Sequence, residues 1–176
     1  AARKAFLNYW SKMAASERSK YLYKISDKIL NSIDELALLE SLDTGKPLKQ
    51  SRVDAQVAAR YFEFYAGAAD KIHGETIPSQ LGINSYTIRE PLGVTGHIIP
   101  WNYPLQMGSR TFAASLAAGN CLVIKPAEEA CLTVLKIAEY ALEIGLPPGV
   151  INIVTGLGGE AGTALCKNKE IEHICF

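Results

Sequence analysis

From residue 92 onward the chain alternates between short apolar runs and longer helix-patterned stretches, and this alternation limits the fold more than any other feature. The strand candidates are 94–99, 122–125, 150–154 and 172–176. Between them lie helix candidates at 105–118, 130–144 and 160–166. Their spacing is close to the ~30 residues of a strand–helix–strand unit. Such an order predicts a parallel sheet with helices on both faces. The run Cys121-Leu122-Val123-Ile124 suits a strand buried on both sides. Pro104 sits where a first helical residue belongs, and Gly119-Asn120 where that helix should stop. Gly145, with Pro147 and Pro148 beyond it, closes the next helix. Open sheets of this kind bind ligands outside the carboxyl ends of their strands. The residues to watch are therefore Pro100 to Asn102, Lys125 to Glu128, 155–159, and those that should follow Phe176.

Residues 1–74 read as helical. Phe6, Tyr9, Trp10 and Met13 lie at helical spacing, which reads as a chain opening inside a helix, and residues upstream are expected. Ser16 with Glu17 marks a second helix start, followed by Leu22, Ile25, Ile29 and Ile33. A third starts near Asp34, carries Leu36, Leu39 and Leu42, and stops at Gly45 with Pro47 beyond. A fourth presents Val53, Val57, Tyr61 and Tyr65 along one face. At 75–91 the character changes. Pro78, Gly82 and Pro91 break the pattern, and Ser85-Tyr86-Thr87-Ile88-Arg89 is β-rich, so an extended arm or hairpin is expected there.

Charge and cysteine usage remove several function classes. Lys+Arg and Asp+Glu both number 18, which leaves no electrostatic footprint for nucleic acid or an anionic membrane. The longest near-apolar stretch, 112–124, is interrupted by Ser115, Gly119 and Asn120 and falls short of the ~18 residues of a membrane span. Cys121, Cys131, Cys166 and Cys175 lack metal-ligand spacing and read as buried thiols of a cytoplasmic protein, with no metal expected. His73, His97 and His173 are scattered and read as structural, and the residues give His97 no function.

Three groups of residues could carry chemistry. In Pro100-Trp101-Asn102-Tyr103-Pro104 two prolines pin a strand exit around an Asn. Asn102 either caps the following helix or donates a hydrogen bond into a cleft at the sheet edge. Lys125 and Glu128 sit at the end of the second strand, either as a solvated Lys and a helix-start Glu favoured by the dipole or as a ligand contact. Gly156-Leu157-Gly158-Gly159-Glu160-Ala161 fits a G-x-G-x-x-A turn between strand and helix, a dinucleotide fingerprint in the right setting.

The run Gly96-His97-Ile98-Ile99-Pro100-Trp101-Asn102-Tyr103-Pro104 resembles the signature of the aldehyde dehydrogenase family. So do Glu40 to Pro47, Arg89 to Val94, Leu116 to Asn120, Lys125 to Glu128 and Gly145 to Gly156, in the family's order and spacing. The likeness covers essentially the whole chain. It implies a Rossmann-like α/β cofactor-binding domain with N-terminal helices and a protruding β arm. On this reading 1–74 is the helical part of an NAD-binding domain, 75–91 its oligomerisation hairpin and 92–176 its βαβ part. The family oxidises aldehydes to acids: a Cys thiolate attacks, hydride passes to NAD(P), and a Glu activates water. By resemblance Asn102 is an oxyanion donor, and Ile99, Pro100, Trp101, Lys125, Glu128, Gly158, Gly159 and Gly162 contact the cofactor. Tyr103, Met107 and Arg110 line the aldehyde tunnel. Arg110 takes either a substrate carboxylate or a structural ion pair. A carboxylate at 128 accepts well from ribose hydroxyls and repels a 2′-phosphate, so NAD is expected over NADP, although Lys125 pulls the other way.

The family's nucleophile segment and its Glu-Leu-Gly-Gly base segment do not occur in the sequence, so the catalytic domain is expected outside this chain. The complete protein implied is a homo-oligomeric enzyme acting on a small aldehyde. The competing reading is a non-catalytic relative serving as a binding or structural protein, and intact Asn102, Lys125 and Glu128 favour the enzyme.

Overall fold

A computed structural model describes residues 1–176. The N-terminal helices are α1 (Ala2–Asn8), α2 (Ala15–Leu30), α3 (Ile33–Thr44) and α4 (Leu48–Ala68), with 3₁₀ turns at Trp10–Lys12 and Ala69–Lys71. A hairpin follows, β1 (Thr76–Ile77) with β2 (Ser85–Tyr86). The remainder runs β3 (Val94–Ile99), α5 (Pro104–Ala117), β4 (Cys121–Pro126), α6 (Leu132–Glu143), β5 (Ile151–Ile153), α7 (Thr163–Lys167) and β6 (His173–Cys175). The alternation expected from residue 92 is thus present, with boundaries shifted by up to three residues.

Strands β5, β4, β3 and β6 form one parallel sheet in that spatial order. Val94 pairs with Cys121, Thr95 with both Leu122 and His173, and Leu122 with Ile151. The chain moves outward from β3 to β5, then returns to the far side of β3 to lay down β6. The point of reversal is the sheet's topological switch. One face carries α5 and α6, backed by α2, α3 and α4; the other packs α1 against β3 and β4. On that second face lies Gly96, where an added Cβ would stand 2.6 Å from the end of the Ile174 side chain and 3.3 Å from Leu165 of α7, so a larger residue would require both to shift. A single core runs from Trp10 through Leu22, Phe62, Phe112 and Leu122 to Tyr140, tying the N-terminal helices to the sheet. No helix is long and apolar enough to cross a membrane.

The N-terminal helices depart from the sequence expectation in their faces. Helix α1 ends at Asn8, leaving Tyr9 exposed beside the buried Trp10. Helix α2 starts at Ala15, and the Glu17 carboxylate accepts from the Ala14 N–H at 3.2 Å, which does the work expected of Ser16. Ile33 opens α3 and does not extend α2. On α3 the expected leucine stripe fails at Leu42, which is exposed, while Glu40 is buried. Helix α4 leaves Val53 exposed and buries Ala55, Ala58, Ala59, Phe62 and Ala66 instead. The small residues let α2 approach closely enough for Ser26 and Ser19 to donate to the carbonyls of Ala59 (2.9 Å) and Ala66 (2.7 Å).

The arm at 75–91 is a hairpin, with Thr76 opposite Tyr86 and Ile77 opposite Ser85. Its strand stops at Tyr86, short of the expected Arg89. Only Cys121 of the four thiols is buried; Cys166 is exposed, because it ends a short outer helix.

Candidate cofactor and oxyanion site

The carboxyl ends of β4 and β5 bring three of the expected residues together. The Lys125 side chain is 3% exposed and its ammonium donates to the Glu128 carboxylate. The other Glu128 oxygen accepts from the Gly158 N–H at 3.4 Å. The Lys125 bond, then N–H donors of Glu128 itself and Gly158, hold the Glu128 carboxyl below the usual carboxylate range. The glycine turn is a π-helical turn over Gly158–Gly162 that leads into α7. A Cβ built on Gly158 or Gly159 meets nothing within 4 Å, whereas Gly162 is buried and faces Ile98. Gly158 and Gly159 are exposed, so the space beside them is open to solvent.

At the end of β3, Ile99 sends its side chain into the core, so only its backbone can face a ligand. Pro100 and Asn102 are exposed, and Trp101 is 58% exposed. The N-cap of α5 is Tyr103, with no side-chain capping bond, so Asn102 does not cap the helix. Its amide is left free at the sheet edge. Along α5, Tyr103 is exposed, Met107 packs half-buried against the core, and Arg110 is exposed at the rim of a cleft shared with His97, Thr111 and Cys175. Arg110 takes part in none of the ion pairs formed within these residues.

His97 lies in a buried polar triangle. Its Nε2 is 2.9 Å from the Thr95 hydroxyl and 3.0 Å from that of Ser115, and those hydroxyls are 3.1 Å apart. Burial first, and the neighbouring His173 second, depress its pKa to about 4. His73 and His173 are exposed. Burial pushes the Cys121 thiol up to about 12 and raises that of Cys131 as well, which makes both poor nucleophiles.

Sequence reasoning misses a charged cluster beside Asn102. The Lys46 ammonium donates to Glu40 at 2.9 Å and to Asp54 at 2.7 Å, and it lies 4.3 Å from the centre of the Tyr103 ring. Asp54 also accepts from Gln50 at 2.9 Å and from Gln106 of α5 at 2.7 Å. Glu40 accepts from Thr133 of α6 at 2.8 Å. Both carboxylates are fully buried. Burial pushes the Glu40 carboxyl above its usual value, against the pull of Lys46 and Thr133. For Lys46, burial pulls down, but the bonds to Asp54 and Glu40 outweigh it and raise the ammonium's pKa. The one signal in the sequence is a pair of acids bracketing a lysine across the Gly45-Lys46-Pro47 turn, and it reads equally well as a solvated helix end.

A carboxylate and an open glycine turn at the carboxyl edge of a parallel sheet are features of nucleotide-binding α/β folds. Comparison with known proteins narrows that class. The model of the aldehyde dehydrogenase family matches residues 1–176. The chain is 47% identical to the betaine aldehyde dehydrogenase of Bacillus subtilis, covering all of this chain and 36% of the relative. It is 46% identical to the mitochondrial aldehyde dehydrogenase family 2 member B4 of Arabidopsis thaliana, again over the whole chain and 33% of the relative. The crystal structure of PnpE, a protein of Pseudomonas sp. WBC-3, in complex with nicotinamide adenine dinucleotide matches with a TM-score of 0.96 and 44% identity, over 98% of this chain and 36% of that one. The chain belongs to the aldehyde dehydrogenase family. It spans about a third of the length of these relatives.

Proposed function

We propose that this segment is the cofactor half of an enzyme that oxidises an aldehyde to a carboxylic acid with NAD, contributing the adenosine site and one oxyanion donor. The observation that carries the reading is the convergence of Lys125, Glu128 and the exposed Gly158 at the strand ends. Each Glu128 oxygen has one internal donor and a further lone pair with which to accept from vicinal ribose hydroxyls, and Gly158 and Gly159 leave room for the adenosine. Lys125 spends its charge on Glu128, so it offers no free cation to a 2′-phosphate, and NAD is preferred over NADP. Ile99, Pro100 and Trp101 contribute backbone and ring surface along the same edge, with Gly162 seating the turn.

The nicotinamide, when bound, supplies the hydride acceptor. The residues of this chain bind and polarise. The Asn102 amide, free of internal partners, donates to the oxygen of the aldehyde as negative charge develops on it. Such a donor stabilises the transition state more than the ground state. Tyr103, Met107 and Arg110 line the approach to that oxygen, and an unpaired Arg110 suits an aldehyde that carries a carboxylate. The thiol nucleophile and the general base are assigned to the part of the enzyme outside this segment, since the family's nucleophile and base segments do not occur in this sequence. The arm exposes Leu81, Ile83, Tyr86 and Ile88, and an isolated two-stranded hairpin is marginal in water, which suits a contact with a second subunit. Reduced thiols suit a reducing compartment such as the cytoplasm.

The test is to incubate the complete protein with NAD and a panel of aldehydes and follow NADH. Aldehyde-dependent NADH with NAD preferred over NADP is the expected result. Tight NAD binding without turnover of any aldehyde would favour a non-catalytic relative.

A further inference from the structure

Trp101 and Asn102 make no hydrogen bond within the chain, and only the Tyr103 carbonyl is held, by the Met107 N–H at 2.9 Å, yet an oxyanion donor must be held to within a fraction of an ångström. Pro100 and Pro104 restrict the backbone, but they do not anchor it to the body of the protein. The anchor is supplied from beneath. An ammonium has three N–H donors. Two of those on Lys46 are taken by the buried carboxylates of Glu40 and Asp54, and the charge sits 4.3 Å from the Tyr103 ring, the residue next to Asn102. A cation at this distance from a ring centre attracts its face. Asp54 uses its second oxygen to hold Gln106, one turn further along α5, at 2.7 Å. The same two carboxylates thus grip the loop by its ring and the helix by its first turn.

We propose that Lys46 and Asp54 are positioning residues for the oxyanion donor, acting on Asn102 through Tyr103 and Gln106. The proposal rests on the reading of Asn102 as that donor. A cluster that merely staples helices would need no contact with the ring flanking Asn102. Glu40 and Thr133 tie the clamp to α3 and α6, so its base is the rigid core and not another loop.

Two measurements on the complete enzyme decide the matter. The first is hydrogen exchange of the amides at 101–103 and 105–107 in Lys46→Met and in Gln106→Leu. Gln106→Leu leaves the ion pairs intact and carries the test if Lys46→Met fails to fold. We expect exchange faster by about tenfold or more across the loop, with β4 unchanged, as local opening becomes easier. Unchanged exchange in folded Gln106→Leu overturns the proposal, whether or not the enzyme oxidises aldehydes. The second is kinetic. A displacement of about 1 Å costs on the order of 10²-fold, so kcat should fall by about 10- to 100-fold while KM for aldehyde moves less than about twofold. Lys46→Arg, which keeps both carboxylate bonds, should recover most of the loss. On an Asn102→Ala background the same substitutions should change kcat by less than about twofold. An equal loss on both backgrounds would assign the cluster to folding alone. Absence of all aldehyde oxidation in the wild type would defeat the proposed function instead, and the exchange result would still stand.

Discussion

Replacing Gly158 with alanine should move stability and cofactor affinity in opposite directions. Gly158 needs no left-handed backbone, and an added Cβ meets no atom within 4 Å. Alanine therefore fits the folded chain and narrows the unfolded one, a gain of about 0.4–1 kcal/mol. The methyl group would stand in the open space assigned to the adenosine, beside the N–H that donates to Glu128 at 3.4 Å. A clash that costs about 1.4 kcal/mol weakens binding tenfold. The assay pairs denaturant unfolding of the cofactor-free protein with calorimetric titration by NAD. The expected outcome is an unfolding midpoint equal to or above wild type, together with NAD affinity weaker by about tenfold or more. A midpoint well below wild type would show that the turn is strained and the glycine structural. Unchanged NAD affinity would show that the open space is not the adenosine site.

Two further predictions concern the body of the fold. His97 has its pKa depressed from 6.5 to about 4, by burial first and His173 second, so the unfolded chain takes up a proton before the folded one does. Stability should therefore decline as pH falls from 6.5 toward 4, by up to about 3 kcal/mol at ~1.36 kcal/mol per pH unit, and His97→Gln should remove that part of the slope in denaturant titrations. Phe62 is fully buried between α4 and its neighbours, and Phe62→Ala should cost about 3–5 kcal/mol by the same method; a loss near zero would mean the helical layer repacks freely.

The sheet is the most legible part of the sequence because parallel strands buried on both faces are written as nearly continuous apolar runs, as in Cys121 to Ile124. The faces of α3 and α4 are less legible for a physical reason. Glu40 and Asp54 are buried by virtue of partners that lie far along the chain or across it, such as Thr133 and Gln106. Alanines 55, 58 and 59 are buried because serines of α2 need close approach, and neither cause leaves an apolar stripe. At the site, Lys125 and Glu128 are readable as a strand-end pair from their spacing. Their meeting with Gly158 depends on β5 lying beside β4, an order that local pattern does not encode. The clamp under Tyr103 is hidden for the same reason, since it joins residues from α3, α4 and α5.

The proposed function stands or falls with Asn102 as an oxyanion donor at the edge of an NAD site. The most direct measurement is single-turnover NADH formation by Asn102→Ala in the complete enzyme, alongside its affinity for NAD. Loss of one such donor typically costs ~10²–10³ in turnover. The account predicts a fall of that order with NAD affinity unchanged. Hydride transfer at the wild-type rate in Asn102→Ala would contradict it.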